Sequence, residues 1–128
     1  MRQFSLVLAL IAALSFAGPA HATGGLFCQP SGKGTGPTLS LVITRGLRGG
    51  IFGATLDDGK ESRTTMSDDA PLALVQAWID DRQIMVDIAD RDVMHYVAKL
   101  RARPVRDEGA VGTLEVNGRK YAVRCEES

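Results

Sequence analysis

Cys28 and Cys125 are the only two cysteines in this 128-residue chain, and they stand 97 positions apart. If they are joined, the first and last segments of the domain that holds them must lie side by side. Bridging so long a loop stabilises by up to about 4.7 kcal/mol through lost entropy of the unfolded chain. That is a large share of the ~5–15 kcal/mol that holds a typical domain together. The spacing excludes a thioredoxin-like redox pair, whose cysteines occupy a Cys-x-x-Cys turn. Two free thiols or half of a metal site are the alternatives, but a metal would need more soft ligands than His95, the one histidine beyond residue 22.

The amino terminus bears on which alternative holds. Arg2 is the only charge before Lys33, and Phe4 to Phe16 form an almost unbroken apolar run. Gly18-Pro19 then ends any helix, and Ala20-His21-Ala22 offers the small residues that a signal peptidase reads. The run is too short to span roughly 30 Å of hydrocarbon. Phe27 before Cys28 does not suit a lipoprotein signal, which places a small residue there. The sequence therefore predicts a cleaved signal peptide over 1–22, a single domain over 23–128 and no membrane span after cleavage. The localisation that follows is periplasmic or secreted, where paired cysteines oxidise to a disulfide.

Lys plus Arg and Asp plus Glu each number 15, so the chain is neutral overall, which argues against nucleic acid as its partner. Turn signals recur at 31–37, 46–50, 57–59 and, most clearly, at Asn117-Gly118. Between them lie β-prone runs at 26–29, 38–45, 50–56, 63–66, 72–79, 83–89, 94–103, 110–116 and 120–126. This pattern predicts an all-β fold, a small antiparallel β-barrel or sandwich of roughly seven to nine strands closed by one disulfide. Asn-Gly suits the two positive φ angles of a type I′ hairpin, so Val116 should face Arg119, Glu115 Lys120, Leu114 Tyr121 and Ala110 Cys125. In the hairpin before it, Ile84, Val86 and Ile88 should share a face with Met94, Tyr96, Ala98, Leu100 and Ala102. That register requires the loop near Asp90-Arg-Asp92 to absorb an odd residue. Residues 67–79 could also be read as a capped helix, but Val75, Trp78 and Ile79 favour a strand. The expected interior comprises Leu39, Leu41, Ile43, Ile84, Val86, Ile88, Tyr96, Leu100, Leu114, Tyr121 and Val123.

Little in the chain suggests catalysis. Gly32-Lys-Gly-Thr-Gly36 lacks the P-loop spacing and runs into Pro37 and a strand. The acid pairs Asp57-Asp58, Asp68-Asp69, Asp80-Asp81 and Asp90/Asp92 do not continue into calcium loops and read as turn residues. No metal site, cofactor or catalytic residue is predicted, and His95 reads as a surface histidine. Lys99, Arg101 and Arg103 alternate along one strand, so their charged ends share a face. Such a stripe suits an anionic partner, a protein or a glycan. It equally suits an outer face whose charge keeps the sheet from pairing with others.

From Leu26-Phe27-Cys28 to Tyr121-Ala-Val-Arg-Cys125, the layout resembles small exported bacterial β-proteins tethered Cys-to-Cys. It is similar in architecture to the periplasmic inhibitors of C-type lysozyme, which are small antiparallel barrels. Their Ser-Gly-x-Lys/Arg-Tyr motif is absent, because Ser31-Gly32-Lys33 is followed by Gly34. The resemblance implies a barrel and transfers no site residue. The expected function is an exported non-catalytic binding or inhibitor module; the alternative is a small periplasmic enzyme using His95.

Overall fold

Asn117 and Gly118 hold φ angles of 50° and 83°, the left-handed pair that a tight hairpin demands. The strands they join, β8 (Ala110–Val116) and β9 (Arg119–Glu127), pair Val116 with Arg119, Glu115 with Lys120, Leu114 with Tyr121 and Ala110 with Cys125. This is the register expected from the sequence. A computed structural model describes residues 23–32, 34–44, 50–106 and 109–128; the candidate signal segment lies outside them.

Seven further strands precede this hairpin: β1 (Thr23–Pro30), β2 (Thr38–Thr44), β3 (Gly50–Asp57), β4 (Ser62–Thr64), β5 (Leu72–Ile79), β6 (Ile84–Asp90) and β7 (Tyr96–Pro104). All pairings are antiparallel, in the order β4-β3-β2-β1-β9-β8-β7-β6-β5. The chain thus winds outward from β1 to β4, crosses to the far edge, and returns through β5 to β9 beside its own start. The result is a meander bent into a nearly closed barrel, with no helix among the described residues. Residues 72–79 form a strand, as their β-branched and aromatic content favours.

The first closure, β1 against β9, sets Cys28 opposite Cys125 and joins them in a disulfide with Cα atoms 3.9 Å apart. The second is incomplete: β4 and β5 do not pair, although β3 and β5 approach each other across the gap.

Alternation fills the interior. On β2, Leu39, Leu41 and Ile43 are buried while Ser40 is exposed. Leu56, Ile84, Val86, Ile88, Leu100, Leu114, Val123 and the disulfide complete a continuous apolar core, with Tyr121 packed against it. Three extra residues break the ladders, at Phe52 in β3, Val75 in β5 and Val97 in β7. Such bulges bend a strand and sharpen its twist, which helps a sheet close on itself.

The bulge at Val97 also corrects one expectation. Ile88 faces Ala98 and Ile84 faces Ala102, as parity requires, but Ala89 faces Tyr96. The odd residue is absorbed inside the strand, one position after Tyr96, so Tyr96 turns outward, 55% exposed, and Met94, expected on the same inner face, stands exposed in the turn before β7. The remaining residues expected inside are buried or packed on the core.

Candidate functional site

Because Ala98, Leu100 and Ala102 of β7 pack inward, Lys99, Arg101 and Arg103 project together from the outer surface. The register aligns them with outward residues of the neighbouring strands. Lys99 lies between Asp87 and Glu115, and beyond Glu115 stands Lys120. Arg101 lies between Met85 and Thr113. Arg103 faces Val111, and beyond Val111 stands Arg124.

The three cations are therefore not equivalent. Lys99 is flanked by carboxylates, and its ammonium also sits 4.5 Å from the centre of the Tyr96 ring, within cation–π range. Arg101 brings Nη1 to 2.9 Å from Oδ1 of Asp87, a carboxylate that is almost wholly buried. The same Nη1 donates to the carbonyls of Leu100 and Val86, at 2.9 and 3.4 Å. Asp87 Oδ1 thus receives opposite charge but no aligned hydrogen bond. Arg103 and Arg124 have neither an ion pair nor a carboxylate directly opposite among the described residues.

Two surface depressions border this unbalanced end. One, of about 270 Å³, is lined by Gln83, Met85, Arg101, Arg103, Val111 and the neighbouring backbone. The other, of about 500 Å³, lies between Arg124 and a glycine-rich stretch that includes Ser31, Gly32, Gly34, Thr35 and Gly36. Arg124 therefore joins the basic surface to a loop that the sequence marked only as a turn.

His95 lies elsewhere, in the β6–β7 turn immediately before Tyr96. Its backbone N–H donates to Asp90 Oδ1 at 2.8 Å, and the Met94 N–H donates to the same oxygen at 2.7 Å. These bonds, the His95 amide foremost, hold the Asp90 carboxyl below its ordinary value. The depression around His95 is only about 100 Å³ and is lined otherwise by Ala89, Val93, Met94 and Tyr96. Neither a carboxylate nor a serine or threonine hydroxyl lines it, so it does not assemble a nucleophile, base and orienting acid. Among the described residues, no three His, Cys, Asp or Glu side chains cluster to hold a metal.

Sequence reasoning located the stripe but missed the burial of Asp87. A signal was available: the even register that joins the apolar faces also sets Asp87 opposite Lys99. Comparisons with protein-family models, curated proteins and solved structures find no match to this chain. The disulfide suggests an oxidising, non-cytosolic compartment.

Proposed function

We propose that this chain is an exported, non-catalytic binding or inhibitor module that holds an anionic protein or glycan on the outer face of β7 to β9. The amino-terminal signal pattern and the disulfide support a periplasmic or secreted setting. The layout remains similar to small exported β-proteins tethered Cys-to-Cys. The observation that carries the reading is the pair Arg103 and Arg124, two cations flanking Val111 with no carboxylate directly opposite either among the described residues. Guanidinium groups suit carboxylate, sulfate and phosphate oxygens because their planar N–H forks can donate two bonds at once. The barrel interior is filled by side chains, which leaves its outer surface for recognition.

The test compares the parent with an Arg103→Ser/Arg124→Ser variant on immobilised heparin and polygalacturonate at two salt concentrations. The parent should be retained at low salt and released as added ions screen the contact, over ~8 Å at physiological ionic strength. The variant should lose retention without losing stability, since exposed substitutions usually change it by less than about 0.5 kcal/mol. Equal retention of both proteins, or new self-association of the variant without any loss of retention, would overturn the reading. Arg101→Ser is a poorer probe, because it leaves Asp87 buried without its ion pair, at a cost of ~1–3 kcal/mol.

A further inference from the structure

We infer, resting on the function proposed for β7 to β9, that the ligand held there is an acidic sugar chain and that one of its rings stacks on Trp78. The register continues the basic surface across β6 to β5: Arg101 faces Met85, and Met85 faces Trp78. All three point outward, because their chain neighbours Ala102, Ile84 and Ile79 pack inward. Met85, Arg101 and Arg103 line the depression of about 270 Å³, so the indole stands one strand beyond its Met85 side.

Trp78 is the one tryptophan in the chain, and 54% of it is exposed. Its N–H donates to Asp80 Oδ2 at 2.8 Å, while Oδ1 of the same carboxylate accepts the Arg82 and Gln83 amides. The ring is thus tied by its edge to the β5–β6 turn, which leaves its faces for contact. Arg101 is restrained in a similar way. Its bonds to Asp87, Leu100 and Val86 all run through Nη1, so the Nε and Nη2 edge of the fork is left to a ligand. Groups held in place before binding lose little freedom when they bind.

The two groups suit the two characters of an acidic sugar. Its C–H bonds carry slight positive charge and stack on the negative face of an aromatic ring. Its carboxylate or sulfate oxygens accept paired bonds from a guanidinium. Trp78 and Arg101 are two strand spacings apart, about 10 Å along the sheet, as are Arg103 and Arg124. A short oligosaccharide can follow that path. The carboxylates nearest in the register do not oppose it: Asp80 is shared among three N–H donors, Asp87 is paired with Arg101, and Glu115 lies between Lys99 and Lys120. An acidic protein fits less well. Protein contacts draw most of their strength from anchors at a desolvated, apolar centre. Here the aromatic group stands at one end, and a row of alternating charge, Asp87, Lys99, Glu115 and Lys120, runs beside the arginines.

As the single tryptophan, Trp78 reports its own contact. Tetragalacturonate and a heparin tetrasaccharide are each titrated into the disulfide-bonded protein while its fluorescence is followed, with uncharged cellotetraose as the control. A saturable change with an acidic tetrasaccharide is expected, lost at high salt and absent with cellotetraose. By calorimetry, Trp78→Ser should weaken binding roughly three- to tenfold, and Trp78→Phe, which keeps a ring, by less. Tyr96→Ser removes a comparably exposed aromatic group at the other end of β7 and should leave binding unaltered. Far-UV circular dichroism confirms that each variant is folded. A Trp78→Ser variant that binds as the parent does, while Arg103→Ser/Arg124→Ser does not, would overturn this inference alone. Binding of polyglutamate and of neither tetrasaccharide would make the occupant an acidic protein and overturn the sugar. A parent that binds none of the three, or an arginine pair whose loss changes nothing, would overturn the proposed function as well.

Discussion

The sheet has two seams, and they are built in opposite ways. Where β1 meets β9, a full ladder runs from Leu26–Glu127 to Pro30–Val123, and a disulfide crosses it at residues that face each other in the register. Between β4 and β5 no ladder forms among the described residues, although β3 comes near β5, and one edge is three residues long against eight on the other. The difference follows from chain order. β1 and β9 are the first and last strands of the sheet, and bringing them together costs the most loop entropy, which is where a covalent link is most effective. β4 and β5 are joined by only 65–71, so the chain itself keeps them near one another. What it leaves undone is their hydrogen bonding.

Removing the disulfide should have the largest effect. Cys28→Ala/Cys125→Ala, or reduction, should lower unfolding stability by ~2–5 kcal/mol in urea titrations. A loss below about 1 kcal/mol would show that the β1–β9 ladder closes the barrel unaided, and the contrast between the seams would collapse to a difference in length.

The next test asks whether tightness differs around the barrel as closure does. On the closed side, Gly112 of β8 lies so near β7 that an added Cβ would fall within contact of the Arg101 carbonyl and the Ala102 backbone. Gly112→Ala must push two paired strands apart, at about 1–3 kcal/mol. Beside the open seam, a Cβ at Gly53 of β3 would meet mainly the side chain of Met66, which is exposed and flexible. Gly53→Ala should cost less than about 1 kcal/mol, since the thioether can swing away. Thermal unfolding of the two variants compares them directly. Equal costs would mean that the open side is packed as rigidly as the closed one.

The two seams also differ in how much of them the sequence disclosed. The closed side was legible because its determinants are local and mutually consistent. Asn117-Gly118 set one hairpin register, Glu115 and Lys120 agreed with it, and the same register carried Ala110 to Cys125. The even-numbered match of Ile84–Ile88 with Ala98–Ala102 was equally readable from periodicity. The position of the odd residue was not, because a bulge one place after Tyr96 and a longer loop before it satisfy the same parity. Tyr96 therefore turned out exposed. The open seam was illegible for a related reason: whether β4 and β5 pair depends on twist accumulated over nine strands, and no short motif encodes that. The basic stripe was visible as alternation, but which of its cations is unbalanced depends on Asp87, Glu115 and Val111 in neighbouring strands. Nor did the sequence mark Val93, a β-branched residue held at φ 55° in the β6–β7 turn.

The smallest expected effect is a difference in acid sensitivity. Asp58, Asp80 and Asp90 each cap a turn on the β3–β7 side, accepting backbone N–H bonds from Lys60 and Glu61, from Arg82 and Gln83, and from Met94 and His95 respectively. For Asp58 the Glu61 amide, for Asp80 the Trp78 indole and for Asp90 the His95 amide is the largest of the influences that hold the carboxyl below its ordinary value of 3.8. A carboxyl whose pKa is depressed by folding adds stability above its unfolded pKa, and that stability is lost as pH falls through the folded pKa. The three turns should therefore hold through mildly acid solution and loosen together only below about pH 3.8. The β8–β9 turn, built on Asn117 and Gly118, carries no carboxyl and should not respond. Amide chemical shifts followed from pH 6 to pH 2 would show inflections at the six bonded N–H groups and none at 117–119. Asp90→Asn keeps an oxygen acceptor but cannot titrate, so its substitution should abolish the inflection at Met94 and His95 while leaving those at Arg82 and Gln83. Inflections at or above 3.8, or an inflection at Met94 that survives Asp90→Asn, would mean that these carboxylates do not hold the turns beside the open seam.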